Sequence, residues 1–181
     1  MPGVIHWLVV QLAAFQAALL AMSALHKLMR RERARAAVHV FAGVPRYLVS
    51  SAVLLAATAE ALAGLLLCIP ATLAAGGMLA ALIWGSYLFL ILRAIAQGRR
   101  GVDCGCSFGA APRPLGTYQV LRNAALTVMG VSAAFYAATA GDAGFGLQTA
   151  QTALAAFALL SLYAALDQVM NLMPLRTGES S

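Results

Sequence analysis

The run YLVSSAVLLAATAEALAGLLLCI occupies residues 47–69, and LAAGGMLAALIWGSYLFLILRAIAQ follows it at residues 73–97. Both runs are apolar almost throughout, and each is longer than the roughly 20 helical residues that cross a hydrocarbon core about 30 Å thick. Strands of outer-membrane barrels are short and alternate polar with apolar residues, whereas these runs are continuously apolar and rich in Ala and Leu. The two runs therefore predict two transmembrane helices joined by a turn around Pro70.

Three further apolar runs lie at residues 4–25, 118–140 and 149–172. The first has no Lys or Arg ahead of it and is itself long enough to span, which predicts a retained helix rather than a cleaved signal peptide. The chain is therefore predicted to be all-α, a polytopic transmembrane helical bundle with a four-helix core and about five spanning helices. We expect it to form a single integral membrane domain over residues 1–181.

The composition excludes an ordinary soluble domain. Of the 181 residues, 62% are hydrophobic and 10% are charged, whereas soluble domains carry roughly 25% charged residues. The chain has 12 Lys and Arg against 6 Asp and Glu, with a pI near 9.8. These cations lie in the gaps between the apolar runs rather than among aromatic residues along a groove. Nucleic acid is therefore not an expected partner, and the lipid bilayer is.

The basic residues also predict the orientation of the chain. Cytoplasmic loops carry an excess of Lys and Arg. Here the cations follow the first run, lie at or beyond the end of the third, lie just inside the fourth and follow the fifth, while the turns at Pro70 and at residues 141–146 have none. The prediction is a multi-pass protein of the bacterial inner membrane with its amino terminus outside and its carboxy terminus cytoplasmic. The cations are Lys27, Arg30, Arg31, Arg33, Arg35, Arg46, Arg93, Arg99, Arg100, Arg113, Arg122 and Arg176.

The segment at residues 26–46 mixes cations with apolar residues. It is either an amphipathic stretch on the inner leaflet or a solvated loop that sets the topology. The solvated loop is the favoured interpretation.

A second break in apolarity, GRRGVDCGCSFGAAPRPLGT, occupies residues 98–117. Glycine costs about 1 kcal/mol and proline about 3 kcal/mol in a helix interior, so the four glycines that follow Gly98, together with two prolines, predict a shaped loop that could be re-entrant. It is called the cysteine loop below.

Cys104 and Cys106 flank Gly105 in this loop, close enough to pair. A disulfide across one residue must bend the backbone to reach its preferred dihedral near 90°, and a strained bond is easier to reduce. Neighbouring arginines favour the thiolate that exchanges, whereas Asp103 opposes it or accepts a proton. A labile redox pair, an inert pair and a metal site all remain open, although zinc prefers four ligands at wider spacings.

Glu60 lies near the bilayer centre, about 13 Å from the end of its run at 1.5 Å per residue. Ionisable groups at that depth are expensive and face the bundle interior. Ala56 and Gly64, one turn to either side, predict close approach of a neighbouring helix. Glu60 is then either a proton relay or a partner for a quinone or a cation, or a protonated carboxyl hydrogen-bonded across helices.

Arg122 and Asn123 begin the fourth spanning run, directly after the cysteine loop. Arg122 either extends to the headgroups, which is the commoner arrangement, or reaches back to the loop. Lys27 is interpreted as a similar headgroup anchor, and Trp84 and Tyr87 as packing residues.

Four segments together resemble a known family. They are DCGCSFG at residues 103–109, LRN at 121–123, SALHKL at 23–28 and EALAGL at 60–65. The chain resembles the MauE family of methylamine-utilisation proteins, within the wider DoxX-like redox-associated membrane family. The typical loop has phenylalanine directly after the second cysteine, and here Ser107 intervenes.

The resemblance implies a membrane helper for maturation of the periplasmic methylamine dehydrogenase β subunit, with a membrane-anchored thioredoxin-like partner, MauD. Cys104 and Cys106 would be the exchanging pair of a thiol-disulfide oxidoreductase, with Asp103, Gly105, Glu60, Arg122 and Asn123 in support. No cofactor is fixed by the resemblance, although a quinone is a candidate electron carrier. The alternative is a non-catalytic assembly or docking factor with incidental cysteines.

A periplasmic substrate conflicts with the cytoplasmic position that the charges predict for the cysteine loop. Three resolutions exist: the loop is re-entrant and reaches a cavity open to the outside, the protein passes electrons across the membrane, or the predicted orientation is wrong. Re-entry is favoured, because irregular backbone is tolerated at depth where protein or water surrounds it.

Overall fold

The computed structural model describes residues 2–98, 116–140 and 149–172, and within them the chain is helical with no strand. This confirms the predicted all-α bundle. The predicted site residues Asp103, Cys104, Gly105 and Cys106 lie outside the described residues. The helices are α1 (Pro2–Met29), α2 (Arg31–Ala42), α3 (Val49–Leu67), α4 (Leu73–Ala96), α5 (Thr117–Ala140) and α6 (Thr149–Leu172), with a 3₁₀ turn at Pro70–Thr72.

Among the described residues, four helices are long and apolar enough to cross a membrane: α1, α3, α4 with the preceding turn, and α5. The fifth predicted run forms α6, whose apolar stretch is the shorter Leu154–Leu166. Large apolar side chains point outward from these helices, among them Leu55 at 71%, Phe135 at 70% and Phe157 at 70% exposed. A surface of that kind suits lipid rather than water, so the chain is a multi-pass membrane protein.

Residues 31–42 are helical, which corrects the favoured interpretation of the segment at residues 26–46 as a solvated loop. Arg30 is the single residue between α1 and α2, and hydrogen bonds continue across it from Arg30 to His26 and from Ala34 to Arg30. Gly43, at φ 68°, ends α2 in the left-handed conformation that glycine adopts without strain. The amphipathic alternative is thereby favoured over the solvated loop.

Helix α1 lies at the centre of the bundle and contacts every other helix. It packs antiparallel to α3, because Gly64 lies against Ala17 whereas Glu60 contacts Ser23 and Lys27. The carbonyl oxygen of Ala17 is 3.1 Å from the position of a Cβ on Gly64. The predicted close approach at Gly64 is confirmed, and its partner is α1.

Helices α4 and α5 approach more closely still. A Cβ on Gly77 would lie 2.7 Å from the nitrogen of Ala134, and a Cβ on Gly130 would lie 2.8 Å from the nitrogen of Ala81. Each helix therefore places two small residues, four positions apart, against the other helix: Gly77 and Ala81 on α4, and Gly130 and Ala134 on α5. This arrangement lets backbones touch in lipid. We call this the glycine contact.

Because successive spanning helices of the bundle run in opposite directions, the ends of several helices lie together. Helices α1 and α4 run in the same direction, since α3 is antiparallel to α1 and forms a hairpin with α4. Helix α4 ends near Gly98, at φ 71°, and α5 begins at Thr117. The two ends from which the cysteine loop extends therefore lie at the same end of the bundle as Lys27.

Candidate functional site

Glu60 is the centre of a polar cluster built from three helices. Its side chain is 0% exposed, and Oε1 accepts hydrogen bonds from the hydroxyls of Ser23 at 3.0 Å and Tyr87 at 2.5 Å. The Lys27 ammonium donates to Oε1 at 2.7 Å and to Oε2 at 2.9 Å. We call these four residues, from α1, α3 and α4, the Glu60 junction.

Lys27 has all three of its protons directed at oxygen atoms. Besides the two carboxylate oxygens of Glu60, Nζ donates to the Ser23 hydroxyl at 2.8 Å. Ser23 and Lys27 are four residues apart on α1, so they lie one above the other on the same face of the helix. The Lys27 side chain is only 12% exposed, and its ammonium also lies 5.4 Å from the centre of the Tyr87 ring, within the range of a cation–π contact.

The two oxygens of Glu60 are used unequally. Oε1 accepts from three donors, whereas among the described residues Oε2 accepts only from Lys27. A carboxylate oxygen has two lone-pair sites and can accept more than one hydrogen bond. Oε2 therefore retains capacity for one further donor.

The junction is electrically neutral overall, because one carboxylate faces one ammonium. A buried ion pair gains from its attraction but loses hydration on both sides, so its net contribution to stability is often near zero. Removing one partner alone leaves a buried charge and costs about 3–5 kcal/mol. The pair is therefore costly to disrupt but not needed to hold three apolar helices together.

An aromatic pair borders the junction on α4. The rings of Trp84 and Tyr87 meet edge to face, with centroids 5.9 Å apart and planes at 70°. Trp84 is buried, and its indole nitrogen has no hydrogen-bond partner among the described residues. A buried indole N–H usually finds a partner, so the packing role predicted for Trp84 leaves one donor unused.

Asn123 and Arg122 are both buried on α5. Asn123 is 0% exposed; its amide nitrogen donates to the carbonyl of Gln119 at 2.8 Å, and its Oδ1 has no partner within the described residues. The Arg122 guanidinium carbon lies 6.0 Å from the ring centre of Tyr163 on α6. Arg122 therefore turns into the bundle, against the commoner arrangement in which arginine extends to the headgroups.

The predicted site residues fall into two groups. Glu60 bonds to Ser23, Lys27 and Tyr87, and Arg122 and Asn123 lie on α5, just inside the point where the cysteine loop returns. Among the described residues no cluster of three or more His, Cys, Asp or Glu could hold a metal ion.

Sequence reasoning missed Lys27 and Tyr87 as partners of Glu60. The sequence predicts a headgroup anchor at Lys27 and a packing role for Tyr87, and both instead bond to the carboxylate. The available signal was the i, i+4 spacing of Ser23 and Lys27, which places a hydroxyl and a cation on one face of an otherwise apolar helix.

The fold and the site define a class: a multi-pass helical membrane protein with a neutral, hydrogen-bonded ion pair buried among three of its helices. The model of the family described as "Methylamine utilisation protein MauE" matches residues 5–138. The "Methylamine utilization protein MauE" of Methylophilus methylotrophus is 30% identical over 163 residues, which cover 87% of this chain and 83% of the relative. The chain belongs to the MauE family. No solved structure matches it.

Proposed function

We propose that the chain is a thiol-disulfide exchange protein of the bacterial inner membrane that serves methylamine utilisation. Cys104 and Cys106 are the exchanging pair, Gly105 permits their closure and Asp103 accepts a proton. The amino terminus is outside and the carboxy terminus is cytoplasmic. Family membership and the name of the relative support the methylamine system, and the strained C-G-C spacing supports exchange rather than a structural staple.

The observation that carries the proposal is the Glu60 junction, because it includes Tyr87 of α4, the helix that leads into the cysteine loop. Tyr87 is nine residues before Ala96, about 14 Å along α4, and bonds directly to Glu60. On the returning helix, Arg122 and Asn123 are buried within two turns of Thr117. The Tyr87 hydrogen bond holds α4 and the contact of Arg122 with Tyr163 holds α5, and two anchored helices would hold a reactive loop in a defined position.

The substrate in this proposal is the β subunit of methylamine dehydrogenase, and the partner is a membrane-anchored thioredoxin-like protein of the MauD type. In each exchange, two thiols of one protein lose two electrons and two protons while the disulfide of the other gains them. A quinone, which takes up two electrons and two protons to become a quinol, is the candidate terminal carrier. The cysteine loop meets its periplasmic substrate by re-entering the membrane.

Serine substitutions test the exchange step directly. Cells that lack the native protein are complemented with Cys104→Ser, Cys106→Ser or the control Cys68→Ser, and active methylamine dehydrogenase is measured. Cys68 is exposed just after α3, at the end of the bundle opposite the cysteine loop. We expect activity to fall below about a tenth of wild type in the first two variants and to be retained in the third.

Full activity in both Cys104→Ser and Cys106→Ser would overturn the exchange function. That result would favour a docking role in assembly, in which the cysteines are incidental. The amount of each variant in the membrane is measured alongside, so that loss of the protein is distinguished from loss of exchange.

A further inference from the structure

Helix α2 and its surroundings form a basic surface that the proposed exchange function does not use. Arg30, Arg31 and Arg33 are exposed at the joint and on the first turn of α2. Arg46 is exposed just before α3 begins, and Arg93 is exposed in the last turn of α4. We call these five arginines the arginine cluster.

All five lie at one end of the bundle. Helix α1 ends at Met29, α3 begins at Val49 in the opposite direction, and α4 ends at Ala96 in the direction of α1. Helix α2 contacts α1, α3 and α4. It therefore lies across the ends of these helices, at the depth where the apolar spans meet the headgroups.

Nearby acidic residues do not neutralise these arginines. Glu32 forms its ion pair with Arg35 at 2.7 Å, and Glu60 is engaged by Lys27. Arg31 directs Nε to the carbonyl of Leu28 at 3.1 Å. Among the described residues, none of the five arginines of the cluster has an acidic partner within 4.0 Å, so the surface carries an uncompensated positive charge.

Apolar side chains are exposed between the arginines. Met29 is 75% and Tyr47 81% exposed, and Leu28 and Leu48 are exposed beside them. Tyrosine is typical of the membrane interface, where its ring contacts acyl chains and its hydroxyl stays wet. Cations interleaved with exposed apolar groups are the composition of a surface that contacts headgroup and acyl chain at once.

We propose that the arginine cluster binds the phosphate headgroups of anionic phospholipids, with Met29 and Tyr47 contacting their acyl chains. Guanidinium groups recognise phosphate oxygens with paired N–H donors, and basic residues near an anionic leaflet each add about fivefold to the affinity. A free phosphate would satisfy the arginines but would leave the apolar side chains uncovered. The observations therefore favour a lipid as the occupant.

The test compares lipid retention by three forms of the full chain. Wild type, Arg30→Gln/Arg33→Gln and the control Arg35→Gln are purified in micelles that contain equal phosphatidylglycerol and phosphatidylcholine, and the bound lipids are counted by native mass spectrometry. Arg35 is a matched control, because it lies on the same helix but is already paired with Glu32. Circular dichroism checks that all three forms have the same helix content.

We expect wild type and Arg35→Gln to retain phosphatidylglycerol selectively, and the double variant to lose roughly twenty-five-fold in affinity for it, about fivefold for each arginine. Equal retention by all three forms would overturn the proposal, as would a lack of preference over phosphatidylcholine in wild type. Displacement of the lipid by an equal concentration of inorganic phosphate would contradict it too, since it would identify a simple phosphate site.

Discussion

The bundle is held together in two different ways in two neighbouring places. At the glycine contact, α4 and α5 touch through Gly77 and Gly130 with backbone atoms against backbone atoms. At the Glu60 junction, α1, α3 and α4 meet through an ion pair and two hydroxyl groups. In lipid, close packing of small residues is sufficient to associate helices.

The difference between the glycine contact and the Glu60 junction is relevant to why the charged residues Glu60 and Lys27 are buried. The α1–α3 contact already has its own small residue, Gly64 against Ala17, so packing alone can hold these helices. A buried ion pair is weak evidence for stability, and apolar replacement of such pairs is often neutral or stabilising. Under the exchange proposal, the Glu60 junction therefore positions the helices that carry the cysteine loop, and it adds little to the stability of their packing.

The largest expected effect comes from breaking the ion pair on one side. Lys27→Met leaves the Glu60 carboxylate buried without its cation, and the free energy of unfolding should fall by about 3–5 kcal/mol. The measurement is unfolding in mixed micelles by titration with a denaturing detergent. The exposed pair of Arg35 and Glu32 supplies a control, since Arg35→Met should change little.

The double variant Lys27→Met/Glu60→Leu sharpens the same comparison, because it removes both charges together. It should recover most of the stability that Lys27→Met loses, while methylamine dehydrogenase maturation stays impaired. Recovery of full maturation in this variant would show that the junction is only structural.

Disrupting the glycine contact should have the next largest effect on the free energy of unfolding. Gly77→Ala places a Cβ 2.7 Å from the Ala134 nitrogen, and overpacking of this kind costs about 1–3 kcal/mol. Gly85→Ala is the matched control on α4, because its Cβ would meet only Thr127 Cγ2 at 3.8 Å. Alanine also favours helix over glycine by about 1 kcal/mol, so the two substitutions should shift the unfolding midpoint in opposite directions. Equal shifts would contradict the close approach.

Removing a single hydroxyl from the junction should have a smaller effect. Tyr87→Phe deletes the donor to Oε1 but keeps the ring beside Trp84, and interhelical hydrogen bonds in membranes contribute about 1 kcal/mol. The same detergent titration measures the loss. Tyr47→Phe, at a tyrosine that is 81% exposed, should leave the midpoint in place.

The smallest stability effect is expected at Asn123. Its amide nitrogen bonds only to a carbonyl of its own helix, and its Oδ1 has no partner among the described residues. Replacing such a group by an apolar one of similar shape is nearly neutral, so Asn123→Leu should change stability by less than about 1 kcal/mol. Under the exchange proposal, the Asn123→Leu variant nonetheless supports less maturation of methylamine dehydrogenase than wild type does. A stable and fully active variant would remove Asn123 from the supporting residues.

The sequence predicted the helical class and the burial of Glu60 because both follow from local properties: run length, continuous apolarity and the cost of a charge in lipid. The close approach at Gly64 was also predictable, since a small residue one turn from Glu60 lies on the same face. These features need no knowledge of which helices are neighbours.

The partners of Glu60 depend on topology, and for that reason they were not predicted. Lys27 is 33 residues and Tyr87 27 residues away from Glu60 in sequence, and only the antiparallel arrangement of α1, α3 and α4 brings them together. The helix at residues 31–42 was not predicted because the segment is highly charged. It has no regular helical spacing of apolar residues, and it is too short to span a membrane. Its exposed arginines are consistent with a helix at the interface.

The most direct measurement on the central claim, exchange at Cys104 and Cys106, is labelling of these thiols in intact cells with a membrane-impermeant thiol reagent, before and after reduction. A Cys68→Ser background removes the remaining cysteine of the chain. Labelling that appears only after reduction is the predicted result, since it requires a disulfide that is accessible from outside. Equal labelling before and after reduction would contradict the account, because it would show free thiols in place of an exchanging pair.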